Sequence, residues 1–473
     1  MNLKNYLSKE LLTSKKENIK KIFFFRVCGT GMGSAACLLK EAGFVVEGCD
    51  ETFYPPMSTY LEKQNIKLID QKEVNNEFLS QYDLIIVGNV VPKKSEAAKL
   101  IEESGVYFTS FPTAIGSLLL KDKTVLGIAG THGKTTTSYF LTQMLNNLNE
   151  DSGYLIGGVI EGQPSSSVGT SKYFVIESDE YDSCYFEKYS KFLSYEINHL
   201  ILTSLEYDHA DIFDSIEDIK NEFKKLKLEN NSQIIVCDEY EASKNLYLNQ
   251  TMYGQSSKIG PHEINCSSNK SSFSLILNDE NVEFETNVIG VHNVMNIAAC
   301  LILCSNLGFN AADLINSIKK LNLVKRRQEI RGKYNDAILI DDFAHHPTAV
   351  SSTIDIIKTK YPDKKINVIL EPNSATARSN LFQDEFEQSL LKSDSVFLCR
   401  PSRNSSIKDH INLDMDLIVK GLIKNNVDSK VSDKLEDLTE FIEKKAHSDE
   451  LFLILSNSTC LGLWSSNFVK KIV

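Results

Sequence analysis

A glycine-rich turn between an apolar strand and a helix constrains this chain more than any other feature. The run Thr124–Ala129 reads as a buried strand, Gly130-Thr131-His132-Gly133-Lys134-Thr135-Thr136-Thr137 follows it, and the pattern predicts a helix over about 134–148. Such a turn aims backbone N–H groups and the positive end of the helix dipole at an anion. Lys134 adds a point charge for β- and γ-phosphates, and the Thr135 hydroxyl is placed to hold Mg2+. The first glycine of the full G-x-x-x-x-G-K-[ST] pattern would fall on Ile128, so the signature is the shorter G-x-x-G-K-T. With a strand before it and a helix after it, the segment reads as a phosphate loop for ATP. Its contact residues are Gly130, Thr131, His132, Gly133, Lys134, Thr135 and Thr136.

At 473 residues the chain is too long for one core. Three α/β segments can be told apart, at about 1–120, 121–324 and 325–473. The first carries a strand at 22–27, the turn Gly29-Thr30-Gly31-Met32-Gly33, a helix ending near Gly43, a strand reaching Asp50, and another at 83–88. Strand, glycine turn, helix, strand, acidic residue is the mononucleotide-binding pattern of a doubly wound sheet. In the second segment, strands at 173–176 and 200–202 follow the phosphate loop. Alternation from Ser271 to Val288 then reads as an antiparallel hairpin appended to a parallel sheet. A helix over about 293–307 ends at Gly308. The third segment opens near Lys325-Arg326-Arg327, with strands at 337–340, 367–370, 396–399 and 451–455 alternating with helices. The fold class is therefore α/β with parallel sheets throughout.

A net charge of −12 leaves no basic footprint, which argues against nucleic-acid or anionic-membrane binding as the main role. The ten cysteines form no C-x-x-C pair, so free thiols and a reducing cytoplasm are expected. Residues 1–21 are polar and lysine-rich, and no apolar stretch reaches 18 residues, so neither a secretory signal nor a spanning helix is expected.

Several constellations sit where chemistry belongs. The first glycine turn has Ser34 where G-x-G-x-x-G has its third glycine, so a nicotinamide cofactor is only one option for it; Asp50 occupies the place of a ribose-binding carboxylate. The cluster Glu177-Ser178-Asp179-Glu180-Tyr181-Asp182 follows a strand of the phosphate-loop segment. Mg2+ takes one or two carboxylates from a protein, and Glu177, nearest the strand, is the expected ligand. Glu206-Tyr207-Asp208-His209-Ala210-Asp211 follows the next strand and suggests a metal or phosphate role for His209. Asn293 reads in isolation as a helix cap. Arg326-Arg327 and Asp341-Asp342-Phe343-Ala344-His345-His346-Pro347 read as pocket chemistry, because a buried unpaired carboxylate is costly. Arg26, a charge at the end of the first strand, has no role in this reading. An oxidoreductase would leave the phosphate loop idle, and a hydrolytic switch would not need a second nucleotide fold.

The ordered set G-T-H-G-K-T-T (130–136), E-S-D-E-Y-D (177–182), E-Y-D-H-A-D (206–211), H-N-V-M-N (292–296) and D-D-F-A-H-H-P (341–347) resembles the Mur ligases, over nearly the whole chain. These are ATP-dependent amino-acid and peptide ligases acting on UDP-N-acetylmuramate precursors. The stretches at 54–59, 182–192 and 370–374 resemble the branch that joins the recycled murein tripeptide L-alanyl-γ-D-glutamyl-meso-diaminopimelate to UDP-N-acetylmuramate. A branch joining L-alanine to the same substrate is the alternative. The resemblance implies a UDP-binding Rossmann-like domain, a P-loop ATPase domain and a Rossmann-like domain for the amine substrate. It places Gly31, Met32 and Asp50 by the UDP moiety, Lys134 and Thr135 on phosphates and Mg2+, and Glu177 and His209 around the metal. Asn293 would meet the adenine, Arg327 and Asp342 would reach the nucleotide, and His346 would orient groups near the reacting centre. Counting to the carbamylated lysine of several Mur ligases lands on Phe223, so that modification is not expected here. The segment 456–460 is less glycine-rich than its family counterpart.

Overall fold

The structure is a computed structural model; it describes residues 2–53, 57–158, 160, 164–226, 232–247, 250–404, 407 and 410–473. Residues 54–56, which open one of the three branch-resembling stretches, lie outside that set. The chain divides into two compact units, one comprising Met1–Glu206, Glu217–Gly260 and Asn296–Ser317, the other Tyr207–Ile216, Pro261–Met295 and Ile318–Val473.

The first unit holds two sheets. One is built from β1 (Lys21–Phe25), β2 (Val45–Asp50), β3 (Lys67–Asp70), β4 (Leu84–Val87) and β5 (Tyr107–Ser110), in the order β3-β2-β1-β4-β5. All four pairings are parallel. Phe23, Phe25, Ile85 and Val87 are fully buried on β1 and β4, and such continuous apolar runs suit parallel strands covered on both faces. The other sheet contains β6 (Thr124–Ala129), β7 (Gly153–Leu155), β8 (Ser166–Ser167), β9 (Tyr173–Glu177), β10 (His199–Leu202), β11 (Gln233–Cys237) and β12 (Thr251–Tyr253). Its order is β12-β11-β10-β6-β9-β7-β8, so the strand leading into the phosphate loop is central. Phe223 is buried and stacked on Phe192, with ring centroids 4.9 Å apart.

The loop between β9 and β10 packs on the first sheet. Tyr185 joins the Phe23, Phe25 and Phe108 cluster, and the nearly inaccessible Glu187 carboxylate accepts hydrogen bonds from Tyr6 Oη (3.0 Å), Ser110 Oγ and Thr113 Oγ1 (3.0 Å). Burial pushes its carboxyl up, against those hydrogen bonds, which hold it down. Glu187→Ala orphans three hydroxyl donors and is expected to cost about 2–4 kcal/mol. With a folded pKa above the unfolded one, wild-type stability is greatest below the unfolded carboxyl pKa and is lost as pH rises through the folded value. Glu187→Gln removes that dependence. Thermal melts of both variants at pH 5 and pH 8 check this: the Gln variant gains on wild type at the higher pH.

The second unit also holds two sheets. β13 (His262–Cys266), β14 (Ser271–Leu277) and β15 (Glu280–Thr286) form an antiparallel sheet of their own. The hairpin read from the alternation is real, with Asn278 and Asp279 both at positive φ (50° and 64°) in its two-residue turn. It is not, however, appended to a parallel sheet, because β13 supplies its further partner. The last sheet has β16 (Glu329–Tyr334), β17 (Ala337–Asp342), β18 (Lys365–Glu371), β19 (Ser395–Cys399), β20 (Asp428–Ser432) and β21 (Glu450–Ser456), in the order β16-β17-β21-β18-β19-β20. Its pairings are parallel except at the edge strand β16, and β8 is likewise an antiparallel edge, so the expectation of parallel pairing throughout fails at two margins. Among the described residues no helix is long and apolar enough to cross a membrane.

Candidate active site

In the first unit, the phosphate loop leaves β6 through Gly130 (φ 133°) and enters the helix Lys134–Asn147 through Gly133 (φ 84°), the N-cap. No side chain caps that helix, so its first-turn amides are available to an anion. The extension of β10 straps the loop. Thr203 Oγ1 donates to Ala129 O (3.1 Å) and His132 O (2.5 Å), Ser204 Oγ accepts from His132 N (2.8 Å), and Glu206 N donates to Thr131 Oγ1 (2.9 Å). His132 Nε2 lies 3.0 Å from Glu206 Oε2. A Cβ on Gly130 would stand 2.4 Å from Thr203 Oγ1 and 2.7 Å from Ser204 O. Gly130→Ala combines that clash with a strained φ, and a loss of at least about 3 kcal/mol is expected, read as a lower Tm with nucleotide binding abolished.

Lys134 Nζ donates to Gly130 O (2.5 Å) and to Glu180 Oε2 (3.1 Å). Burial works against its charge, but the Glu180, Asp179 and Glu177 carboxylates hold the ammonium above its ordinary range. The Thr135 hydroxyl donates to Glu177 Oε1 (2.9 Å), and Glu177 Oε2 accepts from Gly157 N (2.8 Å). Burial pushes the Glu177 carboxyl up, with Lys134 and those two donors opposing. Thr135, in the first turn of the helix that follows β6, and Glu177, at the end of the adjacent strand β9, thus present hard oxygen donors, a set that suits Mg2+, beside an ammonium and bare amides that suit phosphate. Glu180, buried beside Lys134, was not singled out from the sequence; its place in the acidic cluster was the available signal.

At the carboxyl end of β1, Gly29 caps the helix Thr30–Glu41 without a side-chain bond, putting Gly31 and Met32 in its first turn. Asp50 Oδ2 accepts from Cys28 N (2.9 Å) and Oδ1 from Glu51 N (2.9 Å), so this carboxylate ties the glycine turn to the end of β2. Arg26 is not on the strand at all: it follows β1 at φ 71° and pairs with Asp50 and Glu51.

In the second unit, His209 adopts φ 55° directly after Asp208, and Ala210 N donates to Thr376 Oγ1 (3.1 Å). Burial opposes ionisation of Asp208, yet the His209, His346 and His345 rings hold its carboxyl well below the usual range. His346 caps the helix Pro347–Lys360 through Nδ1 (3.4 Å from Thr348 N) and packs edge-on against Phe382. Asp342 accepts from Gln328 N and Ala344 N, both at 2.8 Å; burial raises its pKa while Arg327 lowers it. Arg327 lies over the Phe343 ring at 5.3 Å. The buried Asp341 is paired with Arg331 (3.1 Å) and Arg326 (3.5 Å), so it is an internal ion pair of β17 and not pocket chemistry. Asn293 is not a cap: the helix Val291–Asn306 begins two residues earlier, after Gly290 (φ 106°), and the Asn293 amide donates to Ile289 O (2.8 Å). Burial and Arg327 push the neighbouring His292 down to about 4, keeping it neutral. Glu371, which the sequence marked only as part of the 370–374 stretch, accepts from Ser456 Oγ (2.6 Å), Cys460 N (2.8 Å) and Leu461 N (3.3 Å), organising the segment 456–461.

Comparison with known proteins converges on one family. Residues 21–123 match the Mur ligase family catalytic domain, 128–304 the Mur ligase middle domain, and 326–458 the Mur ligase glutamate ligase domain. The chain is 32% identical to the UDP-N-acetylmuramate–L-alanyl-gamma-D-glutamyl-meso-2,6-diaminoheptandioate ligase of Escherichia coli K12, over 94% of this chain and 96% of that protein. It is 31% identical to the UDP-N-acetylmuramate–L-alanine ligase of Streptococcus sanguinis, over 80% and 83% respectively. The crystal structure of a murein peptide ligase from Psychrobacter arcticus superposes with a TM-score of 0.70 at 27% identity, covering 96% of this chain and 99% of that one. With three successive family segments matched and relatives above 30% identity along nearly its full length, the chain belongs to the Mur ligase family.

Proposed function

We infer that the protein is an ATP-dependent ligase that joins L-alanyl-γ-D-glutamyl-meso-diaminopimelate to UDP-N-acetylmuramate in peptidoglycan recycling. The observation that carries the ATP part is the convergence of Lys134 and Thr135, at the start of the helix after β6, with Glu177 at the carboxyl end of β9. The amine substrate rests on the relatives: near-complete coverage falls on the tripeptide ligase and a shorter match on the L-alanine ligase.

A carboxylate is unreactive toward amines at neutral pH. In this reading the lactyl carboxylate of UDP-N-acetylmuramate attacks the γ-phosphate of ATP, giving an acyl phosphate and ADP. The alanine amine of the tripeptide then displaces phosphate through a tetrahedral intermediate. Residues of 1–120 bind the UDP-sugar, with Gly31, Met32 and Asp50 at its nucleotide. Residues of 121–324 bind ATP, with Gly130–Thr136 around its phosphates and Asn293 at the adenine. Residues of 325–473 receive the tripeptide and bring Arg327 and Asp342 to the nucleotide. Thr135, Glu177 and His209 would hold Mg2+, which screens phosphate charge during the transfer. Lys134 offsets charge on the transferring group, and His346 orients groups beside it. The protein's contribution is alignment and charge neutralisation. All ten cysteines are free thiols, nine of them buried, which supports a cytoplasmic location.

One measurement tests the reaction type. ADP should form one-for-one with ligated product, require UDP-N-acetylmuramate, stop with EDTA and resume with Mg2+. ATP hydrolysis that proceeds equally without the muramyl substrate would overturn the ligase reading in favour of a hydrolytic switch.

A further inference from the structure

Arg26 is a charged residue at the first sheet's carboxyl margin that the roles above leave unused. The chain leaves β1 through it at φ 71°, a conformation that glycine adopts freely and a β-carbon disfavours. The sheet order β3-β2-β1-β4-β5 reverses between β1 and β4, so this is the switch point outside which doubly wound sheets take their ligands. Gly88, directly after β4, packs beside Arg26: a Cβ there would lie 3.4 Å from Phe25 O and 3.5 Å from both Arg26 Cβ and Met32 Cε.

The guanidinium is only 15% exposed and incompletely engaged. Its Nη1 is 3.4 Å from Asp50 Oδ1, its Nη2 pairs with Glu51, and among the described residues its Nε is buried without a hydrogen-bond partner. The two acids differ in kind. Asp50 is fixed by the Cys28 and Glu51 amides, whereas the Glu51 side chain is 58% exposed and free to swing into water. A purely structural role explains little, since Asp50 already ties β1 to β2 through backbone amides and a glycine at position 26 would satisfy the backbone without strain. Strained residues of this sort concentrate at binding sites. The adjoining turn, Cys28 to Gly33, offers backbone amides at a helix start but contains no lysine or arginine. A diphosphate seated there needs a cation from elsewhere, and a planar guanidinium with a spare donor matches phosphate oxygens.

We propose that Arg26 is a binding residue for the diphosphate of a nucleoside-diphosphate sugar at the first glycine turn, and that Glu51 is the counter-ion the diphosphate displaces. This rests on the reading of residues 1–120 as the UDP-sugar site. The strained backbone is maintained because the side chain is needed at the ligand.

Calorimetric titration of the full chain with UDP and with UDP-N-acetylmuramate, alongside thermal melts, tests the assignment on wild type, Arg26→Gly, Arg26→Lys and Glu51→Gln. Arg26→Gly should weaken UDP at least tenfold with Tm unchanged or higher, because glycine relieves the φ. Arg26→Lys, keeping charge without the fork, should fall between, and Glu51→Gln should tighten UDP several-fold by removing the competitor. ATP affinity should stay within twofold in every variant. Equal UDP affinity in Arg26→Gly would overturn the proposal, as would a fall in Tm of several degrees with UDP and ATP binding lost together. If wild type binds UDP and Arg26→Gly does not, yet UDP-N-acetylmuramate is never ligated, the ligase reading fails and Arg26 stands. If wild type binds neither uridine compound, both fall.

Discussion

Lys134→Met is expected to lower kcat/KM by about 10³-fold, the scale on which loss of one preorganised charge at a reacting group is felt. The ammonium sits between the loop carbonyl of Gly130 and the Glu180 carboxylate, and three acids hold it charged. The same substitution removes the counter-charge of Glu180, whose side chain is only 4% exposed, so it carries a stability cost of about 3–5 kcal/mol. The two effects separate in Lys134→Met/Glu180→Gln, which neutralises both members of the pair. Tm should recover in the double variant while kcat/KM stays low. Rate returning together with Tm would mean that Lys134 acts through the fold and not on phosphate.

Glu177→Gln is the second large effect, and its sign differs between stability and activity. The amide keeps an acceptor for Thr135 but loses the charge a divalent cation needs. Apparent Mg2+ affinity should fall by more than the about 10–100-fold typical of losing an outer partner, and turnover with it. Stability moves the other way. Burial holds the folded pKa of Glu177 above its unfolded value, against Lys134, Gly157 and Thr135. Its contribution is therefore most favourable below the unfolded carboxyl pKa and is lost as pH rises through the folded one. Without metal, the Gln variant should melt above wild type at pH 7–8, with the gap closing near pH 5. ADP formation against Mg2+ concentration, with melts in EDTA across that range, reads both. A Gln variant with wild-type Mg2+ dependence would remove Glu177 from the metal site.

Features legible in the sequence share a local cause. Strands such as Leu84–Val87 and Leu451 to Leu455 are uninterrupted apolar runs because both their faces are covered. The phosphate loop announces itself because its donors, its lysine and its hydroxyl are consecutive. Groups that escaped the sequence reading depend on distant partners. Ser204 reaches His132 across 72 positions, and Glu371, legible only as part of the 370–374 stretch, meets Ser456 across 85, with no periodicity to betray either contact. The hairpin 271–286 shows the limit of pattern: alternation marks strands with two unlike faces, but says nothing of which sheet they join. Asn293 shows another, since a capping residue type near a helix start is uninformative when Gly290 turns the chain and the helix begins directly after it, two residues before Asn293. Arg26 defeated the strand reading because a charged residue at φ 71° carries no sequence mark distinguishing it from a strand end.

The central claim is the identity of the amine. Phosphate release from ATP with Mg2+ and UDP-N-acetylmuramate, comparing L-alanyl-γ-D-glutamyl-meso-diaminopimelate with free L-alanine and confirming product mass, tests it most directly. Turnover with the tripeptide and a product heavier by the whole peptide is the predicted result. Turnover with L-alanine in its place would contradict the account and assign the protein to the amino-acid-adding branch of its family.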